Sequence, residues 1–255
     1  MSKTTTAKQA KPYIKIDGKT FATYVPNKLL STNTKLDKSV SGFKLLGLQL
    51  APAKESGYNV CPNASKGCAA ACLWSSGLGR MPAVIKGRIN KTKLFFEQRE
   101  SFMLQLENEI QLENFRAKQS GEKLAVRLNT ISDLSWESIK CSDGKNLFEK
   151  FPDIVFYDYT KNPRRALDWG MGKMPLNYHL TFSRSESNEE QCKIILANGG
   201  NVAVVFRDKL PKTYLGKKVV SGDESDARFL DEKNVVVGLT AKGKGKTDKS
   251  GFIVR

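Results

Sequence analysis

Beyond Gly121 the chain alternates β-type runs with helix-type runs, and this rhythm restricts the fold more than any other feature. Residues 124–129, 154–158, 178–182, 202–206 and 235–239 are dense in Val, Leu, Ile and aromatics and read as buried strands. Helices are expected from Ser135 into Phe148, near 163–169, and from Asn188 to Asn198, where Gly199-Gly200 stops the last. With a further strand at 43–50, the principal strands number six. Strands alternating with helices imply parallel β-α units. The expected class is therefore α/β, a partial (β/α)6 TIM-like barrel with an N-terminal β-hairpin extension. The 255 residues are enough for one such core, placed at 43–255. The hairpin extension is placed at 13–42, where alternating runs flank Asp17-Gly18 and 31–41 is a loop. Residues 1–12 read as a disordered basic tail. After Gly79 a long helical region is expected, best over 94–118, with Phe95, Phe102, Leu106, Ile110 and Phe115 as its core stripe. Residues 252–254 are expected to pair at the end.

Between the first strand and that helical region lie Cys61, Cys68 and Cys72, three of the five cysteines. Cys68 and Cys72 are four apart, so on a helical turn both thiols leave one face. Pro62 holds Cys61 extended, and Gly67 lets the backbone fold Cys61 towards the other two. Three converging thiolates suit iron–sulfur or zinc. A trio leaves one position of a four-iron cluster open unless a distant residue fills it. The odd count, and an N-terminus without a secretory signal, weigh against a disulfide framework. Cys141 and Cys192 read as packing thiols on helical segments, or else as a fourth ligand.

Parallel α/β folds bind ligands at the carboxyl ends of their strands, and here those ends are polar. The second strand leads to Arg127, Asn129, Ser132 and Asp133, the third to Asp158, Lys161 and Arg164. The fourth leads to Ser183, Ser185 and Glu186, the fifth to Arg207, the sixth to Thr240 and Lys242. A later loop adds Asp223 and Asp226. Arg127, Asn129, Asp133, Asp158 and Ser183 are the candidate catalytic residues, and Arg127, Asn129, Ser183 and Ser185 the candidate cofactor-binding set. Each also has a plain reading as a cap or loop residue; Asp133 could cap the helix after it. His179, the single histidine, lies mid-strand, where a satisfied core histidine is the default. The run 242–247 fails as a phosphate loop because Thr240 stands where glycine is required. It reads as a mobile basic loop near a polyanionic ligand.

Lys and Arg total 42 against 26 Asp and Glu, a formal charge of +16. Such an excess attracts polyanions, so non-specific binding of nucleic acid through the phosphate backbone is expected. No apolar run is long enough to span a bilayer, and a cytoplasmic protein is expected.

Two resemblances follow. The blocks Cys61 to Cys72, Arg127 to Asp133, Tyr157 to Lys161, Asn177 to Ser183, Gly222-Asp223, Val237 to Lys242 and Asp248 to Phe252 resemble the phage gene product 88 family. That implies a bacteriophage protein in the host cytoplasm. The layout of a first strand, a three-cysteine loop and β-α units also looks like a radical S-adenosylmethionine enzyme. By this resemblance Cys61, Cys68 and Cys72 would hold a 4Fe-4S cluster whose open iron binds S-adenosylmethionine. The spacing here is C-x6-C-x3-C, where that superfamily typically has C-x3-C-x2-C. The alternatives are a non-catalytic or redox iron–sulfur protein binding nucleic acid, and a structural zinc protein.

Overall fold

A computed structural model describes residues 13–16, 19–22, 26–33, 36, 40, 42–75 and 77–255. Strands β1 (Tyr13–Ile16) and β2 (Lys19–Ala22) pair antiparallel, Tyr13 opposite Ala22, apart from the main sheet. The expected hairpin is thus present. The turn at Asp17-Gly18 and the tail 1–12 lie outside the described residues.

The main sheet has nine strands: β3 (Leu30–Ser31), β4 (Phe43–Leu48), β5 (Lys123–Arg127), β6 (Val155–Thr160), β7 (Tyr178–Ser183), β8 (Asn201–Phe206), β9 (Thr213–Tyr214), β10 (Lys217–Ser221) and β11 (Val236–Thr240). Their spatial order is β3-β4-β5-β6-β7-β8-β11-β10-β9. From β4 to β10 along that order all neighbours are parallel, and β3 and β9 close the two edges antiparallel. The six expected strands are β4, β5, β6, β7, β8 and β11, neighbours in chain order. The edge strands β3 and β9 do not pair with each other. The architecture is mixed α/β with an open sheet, not a closed barrel. Val254 forms the expected terminal bridge, to Phe206.

The helices are α1 (Lys66–Ala70), α2 (Pro82–Glu97), α3 (Arg99–Gln119), α4 (Leu147–Lys150), α5 (Pro163–Gly170) and α6 (Glu189–Ala197). Side chains alternate across a strand, which sorts the core into two faces. Leu46, Val126 and Phe156 pack with Phe102, Leu106 and Ile110 of α3 and Phe148 of α4. Phe182, Val202 and Val204 pack with Ala166 of α5 and Ile195 of α6. Their alternates Leu45, Ala125 and Tyr157 face the other way, against Ala227 and Phe229. The helix-free face is therefore plugged near the start of the strands by the turn Arg228–Leu230, and stands open towards their carboxyl ends.

Three expectations need correction. The long helical region is two helices, broken at Gln98 (φ −141, ψ 58), and Phe115 lies outside the stripe, 61 % exposed. The helix from Ser135 into Phe148 is instead a 3-10 turn, Trp136–Ser138, a β-bridge and the single turn α4. Asn146 caps α4 by a capping box with Glu149, so helix begins only there. Cys141 accordingly lies in a turn, while Cys192 lies in α6 as expected; both are buried.

Candidate functional site: a cysteine-lined cavity

The loop after β4 carries the chain over the carboxyl ends of β5, β6 and β7. The Val60 carbonyl accepts from the Asp133 N–H at 2.8 Å, fixing the loop's start beyond β5. Its middle is fixed beyond β7 by Glu186, whose carboxylate accepts from the Gly67 N–H (2.8 Å) and Ser65 Oγ (2.7 Å). Ser65 in turn caps α1 through the Cys68 N–H. Gly67 is needed for close approach: an added Cβ would stand 2.7 Å from Phe252 Cβ and 2.8 Å from Glu186 Oε2. Here the expectation that Gly67 folds Cys61 back gives way to a packing role.

Beneath the loop is a cavity of about 450 Å3, lined by Cys61, Cys68 and Cys72, by Arg127, Tyr159, Ser183, Val205 and Leu239 of the helix-free face, and by Asp133, Lys161 and Phe252 beyond the strands. That volume lies within the usual range for small-molecule sites. All three cysteines are free. Burial raises each thiol above its ordinary value, Cys61 to about 11, and charge on Cys68 and Cys72 adds to the rise at Cys61. Opposing this, the Ala53 N–H donates to Cys61 Sγ (3.3 Å), and the positive charges of Lys161 and Arg88 act on Cys68 and Cys72. Ala53 itself holds a left-handed φ of 48.

Among the described residues no three His, Cys, Asp or Glu side chains are gathered into a ready-made metal group. The trio expected to converge on one point instead shares one cavity lining. In kind, the donors fit a thiophilic centre: three thiols within one another's field, with cations beside two of them. None of the fourth-ligand candidates, Cys141, Cys192 and His179, is on this cavity. Cys141 packs in the core under α3, Cys192 faces the core from α6, and His179 lies between Trp169 and Phe229. Burial and Lys233 lower the pKa of that histidine.

The other expected residues divide. Arg127 lines the cavity and forks onto the fully buried Asp226, Nη1 to the two carboxylate oxygens at 3.0 and 3.1 Å, with its guanidinium 4.6 Å from the Tyr159 ring centre. Ser183 lines it too and accepts from Lys161 Nζ at 2.7 Å. Asp133 lines it but accepts from Thr160 Oγ1, the Lys161 N–H and Arg165; it braces β6 and α5 and caps no helix. Asn129 lines the cavity as well, with its side chain also engaged as a brace. Its Oδ1 accepts from Ser132, the Leu134 N–H and Trp136, and its Nδ2 donates to Leu134 and Asp158. Asp158 points to the helix side, accepting from Asn129 N (2.6 Å) and Tyr178 OH (3.0 Å), and does not line the cavity. Ser185 is buried outside the lining, its N–H given to Asn188. The basic run is a 3-10 turn, Gly243–Thr247, with Gly245 buried on the cavity wall.

Lys161 is expected at a polar strand end but not in the catalytic or cofactor-binding sets, and Arg88 is not expected at all. Strand parity could have found the first, since Tyr157, Tyr159 and Lys161 continue one face. Arg88 lies on α2, far along the chain from any strand end, and nothing in the sequence marks it.

Fold and site together define an open-sheet α/β protein with a cysteine-lined, cation-rich cavity at the carboxyl ends of its parallel strands. Residues 27–255 match the Gene product 88 family, and the chain belongs to that phage family. No curated protein and no solved structure matches it significantly. No helix among the described residues is long and apolar enough to cross a membrane.

Proposed function

We propose that this protein acts in the infected host's cytoplasm as an iron–sulfur protein, with Cys61, Cys68 and Cys72 holding a 4Fe-4S cluster over the cavity. The observation that carries the reading is that all three thiols line one small-molecule-sized cavity at the strand ends. The cations support it: Lys161 beside Cys68 and Arg88 beside Cys72 favour the thiolates a metal requires. Three cysteines with no fourth cysteine or histidine on the lining suit a cluster with one open iron better than a closed Cys/His zinc site.

With that open position, the reading extends to a radical S-adenosylmethionine enzyme on a partial barrel. Six parallel strands in chain order with helices on one face support the barrel part. A bound cluster would supply one-electron reduction of the sulfonium cofactor. The chain's own contribution is positional. Arg127, held by Asp226, and Ser183, held by Lys161, present fixed donors to a ligand, while Tyr159, Leu239 and Phe252 wall out water.

Anaerobic purification with iron and sulfide counts and a visible spectrum tests the cluster, before and after Cys68→Ala. The expected result is a brown protein that loses its colour in the variant; a colourless, iron-free wild type overturns the reading. Release of 5′-deoxyadenosine with dithionite tests the enzyme, and an intact cluster without cleavage leaves a redox or non-catalytic role. The formal charge of +16 favours a second reading, non-specific binding of nucleic acid, which requires affinity falling steeply with salt.

A further inference from the structure

The cavity lining is electrostatically unbalanced. Arg88, Arg127, Lys161 and Lys242 border it, against the carboxylates of Asp133 and Asp223 alone. Two of the cations are paired, Arg127 with Asp226 and Lys242 with Asp223. Lys161 and Arg88 form no ion pair among the described residues. Arg88 donates only to neutral oxygens, the Trp74 and Gly79 carbonyls and Gln49 Oε1. Lys161 Nζ donates to Ser183 Oγ, acts on Cys68 through its charge and stands 5.1 Å from the Phe252 ring centre. Glu186 acts on Lys161 only from beyond ion-pair distance, and its oxygens are engaged by Ser65 and Gly67. Asp133 is engaged by Arg165 and Thr160.

A partly buried cation without a counter-charge has lost hydration that an arriving anion restores. Lys161 has three N–H donors and gives one to Ser183, which accepts it and keeps its own O–H to donate. Ammonium and hydroxyl thus form a two-point donor pair inside the cavity.

We propose that the cavity binds a small organic oxyanion, its phosphate or carboxylate group held by Lys161 Nζ and Ser183 Oγ, with its apolar part against Phe252, Val205 and Leu239. This deepens the function proposed above, resting on the same cavity and naming the class of molecule that enters it.

The test is calorimetric titration of the metal-free full chain with inorganic pyrophosphate, with citrate and with uncharged glycerol, at about physiological salt to screen the exposed lysines. One saturable site is expected for pyrophosphate or citrate and none for glycerol; whichever anion binds tighter names the group. Lys161→Met and Ser183→Ala should each weaken binding about tenfold, the scale of one charge-assisted hydrogen bond. Lys161→Arg should retain most of it. Lys218→Met, an exposed lysine paired with Glu232 on β10, should change nothing. Equal weakening by Lys218→Met and Lys161→Met, or no saturable binding of either anion, overturns the proposal. So does a Lys161→Met protein that binds anion normally and loses only iron. Because the titrated protein holds no metal, its result is independent of the iron counts that test the cluster.

Discussion

Asn129 makes five hydrogen bonds at once through its side chain, with Ser132, Leu134 twice, Trp136 and Asp158. Removing it leaves several of those groups buried without a partner, which is costlier than losing a hydrogen bond between exposed groups. Asn129→Ala should lower unfolding free energy by about 3 kcal/mol in urea titrations. A change under about 1 kcal/mol would mean that this cavity-lining amide is not spent on bracing its loop. Asp158, its partner, gives a pH signature. Burial is the dominant influence and lifts its carboxyl to about 7, against the pull of the Asn129 amide and of Arg127 and Arg165. Unfolded, the group titrates in the ordinary carboxylate range near 3.8. Between those values the folded protein holds a proton the unfolded chain has released. The stability this confers is present below the lower value, declines as pH rises towards about 7, and is gone above it. Wild type should therefore lose more stability between about pH 5 and pH 8 than Asp158→Asn, which cannot titrate there. Parallel losses would mean that the carboxylate stays charged in the fold.

Among the elements, α1 carries the tightest steric constraint. Gly67→Ala would drive a methyl into Phe252 and Glu186, as well as Ser250 Oγ, and shift the turn bearing Cys68. Glu186→Ala would release the same turn by removing its anchor from Ser65 and Gly67. Both variants should keep the wild-type far-UV circular dichroism while binding less than half the iron per chain after anaerobic reconstitution; full loading in both would show that the turn's placement is irrelevant to metal. The six principal strands were legible because β4 and its successors are apolar on both faces. The edge was not: β10 begins Lys217-Lys218 and is only half-buried, and β9 has two residues, so neither shows a hydrophobic run. The missing helix before α4 has a readable cause, since Asn146 and Glu149 have capping-box spacing. The cysteines were legible by their crowding. Asp158 was misassigned because its place near a strand end was weighed without parity, which sends Tyr157 and Tyr159 to the cavity and Asp158 to the helices. Asn129 shows the other limit: no local pattern tells a ligand-binding amide from one spent on its own loop.

At the scale of the whole molecule, the cysteine loop is a strap across the sheet. It leaves β4, is tied beyond β5 through Val60 and Asp133, is tied beyond β7 through Glu186, and continues by way of Trp74 to Arg88 of α2. A centre gripped by Cys61, Cys68 and Cys72 would join the two tied portions of the strap and hold them at fixed separation. Unfolding would have to release it, so the bound form gains stability by mass action, about 2.7 kcal/mol when free ligand exceeds the dissociation constant about a hundredfold. For a chain of this size that corresponds to a rise in Tm of roughly 5–10 °C. Reconstituted protein should melt higher than the metal-free form by about that margin, lose the gain on chelation, and show none in Cys68→Ala. If fully loaded protein melts with the metal-free form, the iron is held away from the strap and the cavity loses its assigned cofactor.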